Sequence, residues 1–457
     1  MKANRLLLGA FAAVLATPAH ALTFEITGAT AFRRATIESV SALYAASGQP
    51  WRFCHNRSTA GDYINADFIT YEGTITGLPG TTVIRCAFNG SIEGLRAIAQ
   101  SPTHDASYFK LSALTISPTT TGANQFATST SGNLETAEAE MAFSDTAKSI
   151  SPYASYPMAG GAVGVCVFGL VANEGSPITN VTTQQYNSLL SNGYVPLSFF
   201  TGVPTDTSLV FCTGRNDGSG TRSSYLSEMG YGVANSVQQY LVVGSEGNQI
   251  TAIQNVPAGG INGITPGAGG SAGDIDGFDA QPGTAGFQDV TQLATSASTV
   301  WGNDVAGNGG AFSGSVLRGH LALRGDSVTV FDADGFDLLG GAQSNISLVS
   351  WVSLNDAITA RTNGASIVAF NGVSLAVNGG TGGNEMTTAD KNKVYYGNYT
   401  AWNFQNLYRR TTASTDTVNL YNLLVGSIPN NLGTAGLKST DMKVGRTDDG
   451  GTINPIF

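Results

Sequence analysis

Apolar residues along the chain repeatedly change from the spacing of a strand to the spacing of a helix. In three places a short apolar run is followed by a small polar turn and then by apolar positions three or four residues apart. These units cover residues 22–44, 81–100 and 208–233. Strands that alternate with helices predict an α/β fold with mostly parallel sheets, in which ligand sites lie beyond the carboxyl ends of the strands.

The pattern breaks down between residues 257 and 314, where Gly, Ala, Ser and Asp predominate. We expect a long loop or insertion there, with little bearing on ligand chemistry. Two acidic hexapeptides nearly repeat, DIDGFD at 274–279 and DADGFD at 332–337. Alternating Asp before Gly is typical of calcium loops, but the order is broken and no Glu closes a twelve-residue loop. Acidic surface turns are the default interpretation, and calcium binding is the alternative.

Composition limits the class of protein. The chain has 457 residues, of which 42% are hydrophobic and 12% are charged, and its net charge is −10. The apolar share is sufficient for two or three folded lobes. The acidic balance and the lack of a Lys/Arg-rich run argue against DNA or RNA as a partner.

The first residues have the organisation of a secretory signal peptide. Lys2 and Arg5 precede an apolar stretch at 6–16, and AHA at 19–21 offers the small residues that signal peptidase reads. We expect residues 1–21 to be removed and the mature protein to be periplasmic or secreted. No Cys follows the cleavage site, which predicts no lipid anchor, and no later segment has about 18 uninterrupted apolar residues.

Four cysteines enter this oxidising compartment, where paired thiols are more common than free ones. Three connectivities are possible, and we favour the two pairs that would each connect residues of one predicted lobe. These pairs are Cys54–Cys86 and Cys166–Cys212. The cysteines lack CxxC spacing, and the histidines after the signal peptide do not pair at metal-ligand spacing. The sequence therefore predicts no metal and no cofactor.

The sharpest local signal is the loop from Arg215 to Thr221, which stands between a predicted strand and a predicted helix. Free N–H groups at a helix start, aided by the helix dipole, form an anion site. Gly220 allows the backbone to approach closely, and the hydroxyls of Ser219 and Thr221 can donate. Arg215 offers a planar fork to a tetrahedral anion, and Asp217 can hold it in place. The alternative is an ordinary capped Gly-rich turn.

Two further strand-to-helix turns and one strand end have suitable residues. Thr30, Ala31 and Phe32 lie at the first turn and Ser91 at the second, although each position could be only a helix N-cap. Asp145 ends the apolar run EMAFS. A carboxylate beside an anion is favourable when the ligand still has a proton, as hydrogenphosphate does and sulfate does not. Asp145 would then select the ligand, and the alternative is an Asp in a surface turn.

Taken in order, these motifs resemble one family. RNDGSGT at 215–221 is similar to the anion loop of the periplasmic phosphate-binding proteins that feed phosphate ABC transporters. ITGATAF, NGSIEG and AFSD resemble the family's three other phosphate-contacting segments. The resemblance covers most of 22–250 and, more loosely, 345–410. It implies a monomer with a two-lobed type II periplasmic-binding fold that closes on inorganic phosphate at a hinge and docks on an ABC permease.

The resemblance also implies a role for each site residue and a division of the chain. Asp217 would orient Arg215, and Asp145 would accept the phosphate proton. The family often has Thr-Phe where this chain has Ala31-Phe32, and Thr30 would take the place of that threonine with a shifted register. Lobe I would cover 22–160, lobe II would cover 161–350 with the insertion at about 257–314, and the chain would return to lobe I at 351–457. The remaining phosphate contacts would come from Arg215, Ser91, Ser219, Gly220, Thr221 and the main chain of Ala31 and Phe32.

Two other functions stay open at this point. One is a secreted phosphatase-like enzyme or serine hydrolase, against which the sequence has no G-x-S-x-G elbow, no P-loop Lys and no His or metal cluster. The other is a matrix-associated or adhesive protein that keeps the two lobes as a scaffold, supported only by the Gly-rich insertion and the low charge. The leading hypothesis is a phosphate-binding protein without covalent chemistry.

Overall fold

The computed structural model describes residues 21–256, 309–311, 313–377, 386–433 and 436–456. Nearly all of the predicted signal peptide, and the whole of the first acidic hexapeptide, lie outside these ranges. No helix within them is long and apolar enough to cross a membrane.

Helices and strands alternate along the described chain. The helices are α1 (Arg33–Ala46), α2 (Ser91–Gln100), α3 (Thr183–Asn192), α4 (Ser198–Thr201), α5 (Gly220–Glu228), α6 (Gly314–Leu321), α7 (Leu354–Thr362), α8 (Thr388–Tyr395) and α9 (Thr415–Ser427). The strands of the first half are β1 (Leu22–Gly28), β2 (Arg52–His55), β3 (Phe68–Gly73), β4 (Thr82–Ala87), β5 (Ala106–Phe109), β6 (Ala123–Gln125), β7 (Leu134–Ala137), β8 (Met141–Ser144), β9 (Met158–Ala172), β10 (Asn180–Val181), β11 (Tyr194–Pro196) and β12 (Leu209–Cys212). Those of the second half are β13 (Tyr240–Glu246), β14 (Gln249–Asn255), β15 (Ser327–Phe331), β16 (Gln343–Ser344), β17 (Ser347–Ser353), β18 (Ser366–Phe370), β19 (Trp402–Arg410), β20 (Gly436–Leu437), β21 (Val444–Gly445) and β22 (Asn454–Pro455). The three strand–turn–helix units predicted from the sequence are confirmed as β1–α1, β4–α2 and β12–α5.

Local sequence explains where these elements start and stop. β1 is buried along most of its length because it lies between two parallel neighbours, β4 and β8. α3 begins with a capping box in which the side chains of Thr182 and Gln185 each bond the other's backbone N–H. It ends at Gly193, whose φ of 79° favours glycine.

One long strand connects two groups of strands. The first two thirds of β9 pair with β19, which in turn pairs with β8 beside β1 and β4. The last third of β9 pairs with β17, which is parallel to β12. Each group has its own hydrophobic cluster, one including Phe24 and Phe143 and the other including Phe168 and Trp351. The α/β class and the two-lobed organisation predicted from the sequence are therefore confirmed.

The prediction of mostly parallel sheets is wrong, because the large sheet is mixed. β19 returns between β8 and β9 and runs antiparallel to both. β3 also runs antiparallel to its neighbours β2 and β4. The second cluster includes Trp402 and, further along the chain, Leu437 and Val444, whereas Leu407 and Leu420 belong to the first cluster. The domain boundaries at 160 and 350 stay a prediction.

The second acidic hexapeptide, 332–337, forms a turn after β15. One carboxylate oxygen of Asp332 accepts from the N–H groups of Asp334 and Phe336, at 3.0 and 2.9 Å. Asp337 accepts from the N–H groups of Leu339 and Gly340 at 3.1 and 2.9 Å. These two carboxylates hold the turn together, as expected of an acidic surface turn.

The predicted disulfides are not present, and all four cysteines are buried free thiols. Cys54 on β2 and Cys86 on β4 are separated by β3, to which both strands pair. Adjacent strands lie about 4.8 Å apart, so this separation of about 10 Å exceeds the roughly 7 Å limit between bridged Cα atoms. β17 separates Cys212 on β12 from Cys166 on β9 in the same way. Spacing along the sequence could not reveal the intervening strands.

We therefore expect four reactive thiols in protein unfolded without reductant. Iodoacetamide should add four adducts by mass spectrometry, the same number as in a fully reduced sample. The folded protein should resist labelling, because burial raises the pKa of Cys54 and of Cys212 to about 12. Two or four fewer adducts in the non-reduced sample would show that disulfides do form.

Candidate functional site

Three helices begin at the ends of parallel strands and meet at the boundary between the lobes. α1 and α2 start in lobe I, and α5 starts in lobe II. Five main-chain N–H groups at these helix starts have no acceptor among the residues that the structure describes. These N–H groups are those of Ala31, Phe32, Ser91, Gly220 and Thr221. Unpaired N–H groups, together with the helix dipoles, make this boundary attractive to an anion.

Asp145 lies at the centre of this arrangement, directly after β8, and is 1% exposed. One of its carboxylate oxygens accepts from the hydroxyl of Ser91 and the other accepts from Thr221 Oγ1 at 3.2 Å. Burial raises the pKa of Asp145, although the bond from Ser91 and the charge of Arg215 act to lower it. The carboxyl group therefore lies between donors of both lobes and is shifted towards its protonated form.

Arg215 follows β12 and is 2% exposed. Its Nη1 donates to Thr30 Oγ1 at 3.2 Å, and its Nε donates to the carbonyl of Ala311 at 3.0 Å. Burial lowers the pKa of Arg215 to about 10, against the charges of Asp145 and Asp356. The guanidinium therefore stays positive at neutral pH.

The lobes make direct contact at the site. The N–H of Ile92 on α2 donates to the carbonyl of Gly218 at 3.1 Å, and Thr146 Oγ1 donates to the carbonyl of Gly220 at 3.0 Å. A Cβ atom at Gly220 would lie 1.8 Å from Asp145 Oδ1 and 2.5 Å from Ser91 Oγ. Only glycine permits this approach of α5 to lobe I, and the close approach of Gly220 to an anion stays a prediction.

Two predicted residues of the anion loop have defined local surroundings. The Ser219 hydroxyl accepts from the N–H of Arg222 at 3.4 Å and caps α5, which leaves its own proton to be donated. Asp217 is buried in the same loop. The charges that act most strongly on Arg215 are those of Asp145 and Asp356, and the orientation of Arg215 by Asp217 stays a prediction.

The sequence reasoning missed Asn403. This buried side chain on β19 donates through Nδ2 to the carbonyl of Asp145 at 3.2 Å and to Ser224 Oγ at 2.6 Å. It therefore connects the returning strand with the Asp145 loop and with α5. Asn403 belongs to no motif. The only signal in the sequence was a polar amide between two aromatic residues, Trp402 and Phe404, in a buried strand.

The sequence reasoning also gave too small a role to the end of the Gly-rich region. Ala311 accepts from Arg215 Nε, and its N–H donates to the carbonyl of Gly214 at 2.9 Å. A Cβ atom at Gly310 would lie 2.3 Å from the carbonyl carbon of Arg215. The last residues of this region therefore pack directly on the loop 215–221, a contact that the sequence did not predict.

Among the described residues, no group of three or more His, Cys, Asp or Glu side chains could hold a metal ion. His104 lies near the site and faces Glu93, with 3.0 Å between Nε2 and Oε2. The Glu93 side chain packs on Gly218, so an acidic residue of the NGSIEG segment contacts the loop 215–221.

No family model matches this sequence, and no curated protein matches it. A search of solved structures finds a putative phosphate ABC transporter substrate-binding protein with bound phosphate from Clostridium perfringens, 9% identical, covering 91% of this chain and 99% of that one, with a TM-score of 0.43. An ABC-type phosphate transport receptor from Vibrio cholerae is 9% identical, covering 90% of this chain and 98% of that one, with a TM-score of 0.38. A phosphate-binding protein from Stenotrophomonas maltophilia is 12% identical, covering 93% of this chain and 92% of that one, with a TM-score of 0.37. Because these sequence identities are low, any inference about the ligand has to come from the site residues of this chain.

Replacing Gly220 by Ala tests the contact between the lobes. The new methyl group would overlap the Asp145 carboxylate and Ser91, so we expect Gly220→Ala to lower the free energy of unfolding by about 1 to 3 kcal/mol. Gly426, in α9, is the matched control, because no atom of the described residues lies within 4 Å of a Cβ placed there. Gly426→Ala should raise the free energy of unfolding by about 0.4 to 1 kcal/mol. Urea unfolding measures both, and a Gly220→Ala variant as stable as Gly426→Ala would contradict this geometry.

Proposed function

We propose that this protein binds inorganic phosphate between its two lobes and releases it unchanged. The observation that supports this most strongly is the convergence of unpaired N–H groups from three helix starts on the buried Asp145 and Arg215. The N–H groups and the guanidinium suit a tetrahedral oxyanion, and the carboxyl group suits a ligand that still has a proton. Hydrogenphosphate meets both requirements.

The site attracts an anion although the protein is acidic, because its positive potential is local. Five N–H groups and one guanidinium face the boundary, where water is largely excluded and each dipole acts more strongly than in water. The Ser91 and Thr221 hydroxyls, which now donate to Asp145, would donate to the ligand's oxygens instead. The lobes must therefore part to admit phosphate and close again around it.

Asp145 would distinguish phosphate from sulfate. A hydrogenphosphate proton can be donated to the Asp145 carboxylate, whereas sulfate has no proton at neutral pH and would be repelled. Before the ligand enters, the hydroxyls of Ser91 and Thr221 already orient this carboxylate at the boundary between the lobes.

A binding role suits the serines of the site better than a hydrolytic one. In the described residues, the Ser91 hydroxyl bonds to Asp145, and the Ser219 hydroxyl caps α5. Neither arrangement provides the histidine that would activate a serine nucleophile. With the signal peptide expected at 1–21, we further propose a periplasmic or secreted monomer that delivers phosphate to an ABC permease.

Calorimetric titration and thermal unfolding with phosphate test the proposal. Phosphate at about a hundred times its Kd should add about 2.7 kcal/mol to the free energy of unfolding and raise Tm. Arg215→Lys should weaken binding at least tenfold, because the planar fork is lost, and Arg324→Lys, at an exposed ion pair, should bind as the parent does. If phosphate changes neither heat nor Tm, the proposal is wrong. Turnover of a phosphate monoester by the pure protein would support an enzyme instead.

Asp145→Asn tests the selectivity. The neutral amide no longer repels sulfate and no longer accepts the phosphate proton as a carboxylate does, so the ratio of the sulfate Kd to the phosphate Kd should fall at least tenfold. Competition titrations of the two anions at pH 7.5 give this ratio. If the ratio stays at the parent value while phosphate still binds, Asp145 does not select the ligand.

A further inference from the structure

The segment 444–451, close to the C-terminus, lies across both lobes beside the proposed phosphate site. On the lobe I side, Asp449 Oδ2 accepts from the N–H of Ala147 at 2.6 Å, and Asp448 accepts from the hydroxyl of Ser149. Ala147 comes two residues after Asp145, so this contact fixes the loop that presents the selective carboxylate.

The same segment holds the end of α5 on the lobe II side. Arg446 Nη1 donates to Glu228 Oε2 at 2.7 Å, and the guanidinium stacks over the ring of Trp402 with 4.2 Å to its centroid. A Cβ atom at Gly450 would lie 2.2 Å from the carbonyl oxygen of Ser227. α5 begins at Gly220, so the segment holds the far end of the helix whose start faces the anion.

These contacts form a connection between the lobes in addition to the crossing strands β9 and β19. Arg446 is 8% exposed and Asp449 is 6% exposed, so both are built into the interface. Their partners Ala147 and Glu228 belong to the two elements that must move together when the lobes close. A segment that bonds to both elements stabilises the closed arrangement relative to the open one.

We propose that residues 444–451 act as a latch that holds the lobes closed on the anion, with Asp449 as the positioning residue for the Asp145 loop. This inference rests on the proposed phosphate function and adds to it a residue that controls affinity. Asp449 contacts the loop main chain and acts on the ligand only through Asp145.

The surroundings of Asp449 make the latch sensitive to pH. Burial raises the pKa of Asp449 to about 7, and the charges of Asp145 and Asp448 raise it further, while the Ala147 bond and Arg446 act to lower it. Tyr408 on β19 and Lys148 line the same cavity of about 320 Å³ as Asp449, and through it protons can reach the carboxyl group. As pH rises through 7, Asp449 gains a negative charge near Asp145 and the proposed anion.

The sign of the stability effect follows from the raised pKa. Between pH 4 and 7 the folded state holds a proton on Asp449 that the unfolded state, with an ordinary pKa near 3.9, has released. The contribution of Asp449 to the free energy of unfolding therefore falls as pH rises through this window and is constant above it. Asp449→Asn removes this dependence.

Two variants of Asp449 separate position from charge. Asp449→Ala leaves the N–H of Ala147 without its acceptor, and we expect phosphate affinity to fall about tenfold at pH 7. Asp449→Asn keeps an acceptor oxygen and should stay within about threefold of the parent at pH 5.5. Because the ligand's own titration cancels in the comparison, the parent Kd divided by the Asn variant's Kd should rise at least threefold between pH 5.5 and 8.5. Asp334, an exposed Asp in the turn after β15, provides Ala and Asn controls that should match the parent.

A ligand-free readout distinguishes failure of the latch from failure of the phosphate proposal. Hydrogen exchange of the full chain without phosphate should be faster at 144–149 in Asp449→Ala than in the parent or Asp334→Ala. If the parent binds phosphate and both Asp449 variants match it in Kd, pH profile and exchange, the latch is wrong and the phosphate proposal stands. If the parent does not bind phosphate, that proposal fails, and unchanged exchange at 144–149 would overturn the latch as well.

Discussion

The structure depends on the burial of one guanidinium and one carboxyl group in the same closed boundary. Removing a charged group from water costs several kcal/mol, and the shifts at Arg215 and Asp145 both run towards the neutral form, as burial alone dictates. Their mutual attraction and the donors around them offset part of this cost. Each lobe contributes to both groups: Arg215 of lobe II bonds to Thr30 of lobe I, and Asp145 of lobe I bonds to Thr221 of lobe II.

That constraint accounts for several features of the fold that otherwise look unrelated. Strands of both lobes must end at the same boundary, which is why β1, β4, β8 and β12 each lead into a loop there. The helix starts must approach within bonding distance, which is possible because Gly220 has no side chain to meet Asp145. The crossing strands β9 and β19 must set the distance between the lobes, and Asn403 on β19 bonds to the Asp145 loop and to α5 at once.

The parts that could be predicted are those in which local sequence and local geometry coincide. The units β1–α1, β4–α2 and β12–α5 each follow from a change of apolar period, and the residues at their turns meet as expected. What failed depended on partners distant in sequence. Cys54 and Cys86 look like a pair until β3 is seen between their strands, and the direction of β19 cannot be inferred from its own apolar residues. Asn403, Ala311 and Asp449 belong to no motif, because each acts through a main-chain group of another segment.

The contacts of Ala311 and Asp449 also suggest how so acidic a chain could keep the proposed anion site. The positive elements of the site are dipoles and one guanidinium, whose effect depends on orientation more than on total charge. Other segments fix this orientation through hydrogen bonds. The carbonyl of Ala311 accepts from Arg215, and the Asp449 carboxylate accepts from the N–H of Ala147 in the Asp145 loop. Both supports come from segments far along the chain from the motifs that they hold. A charge added at the surface would be screened within about 8 to 10 Å in physiological salt, whereas a shift of these buried supports would move Arg215 or the Asp145 loop itself.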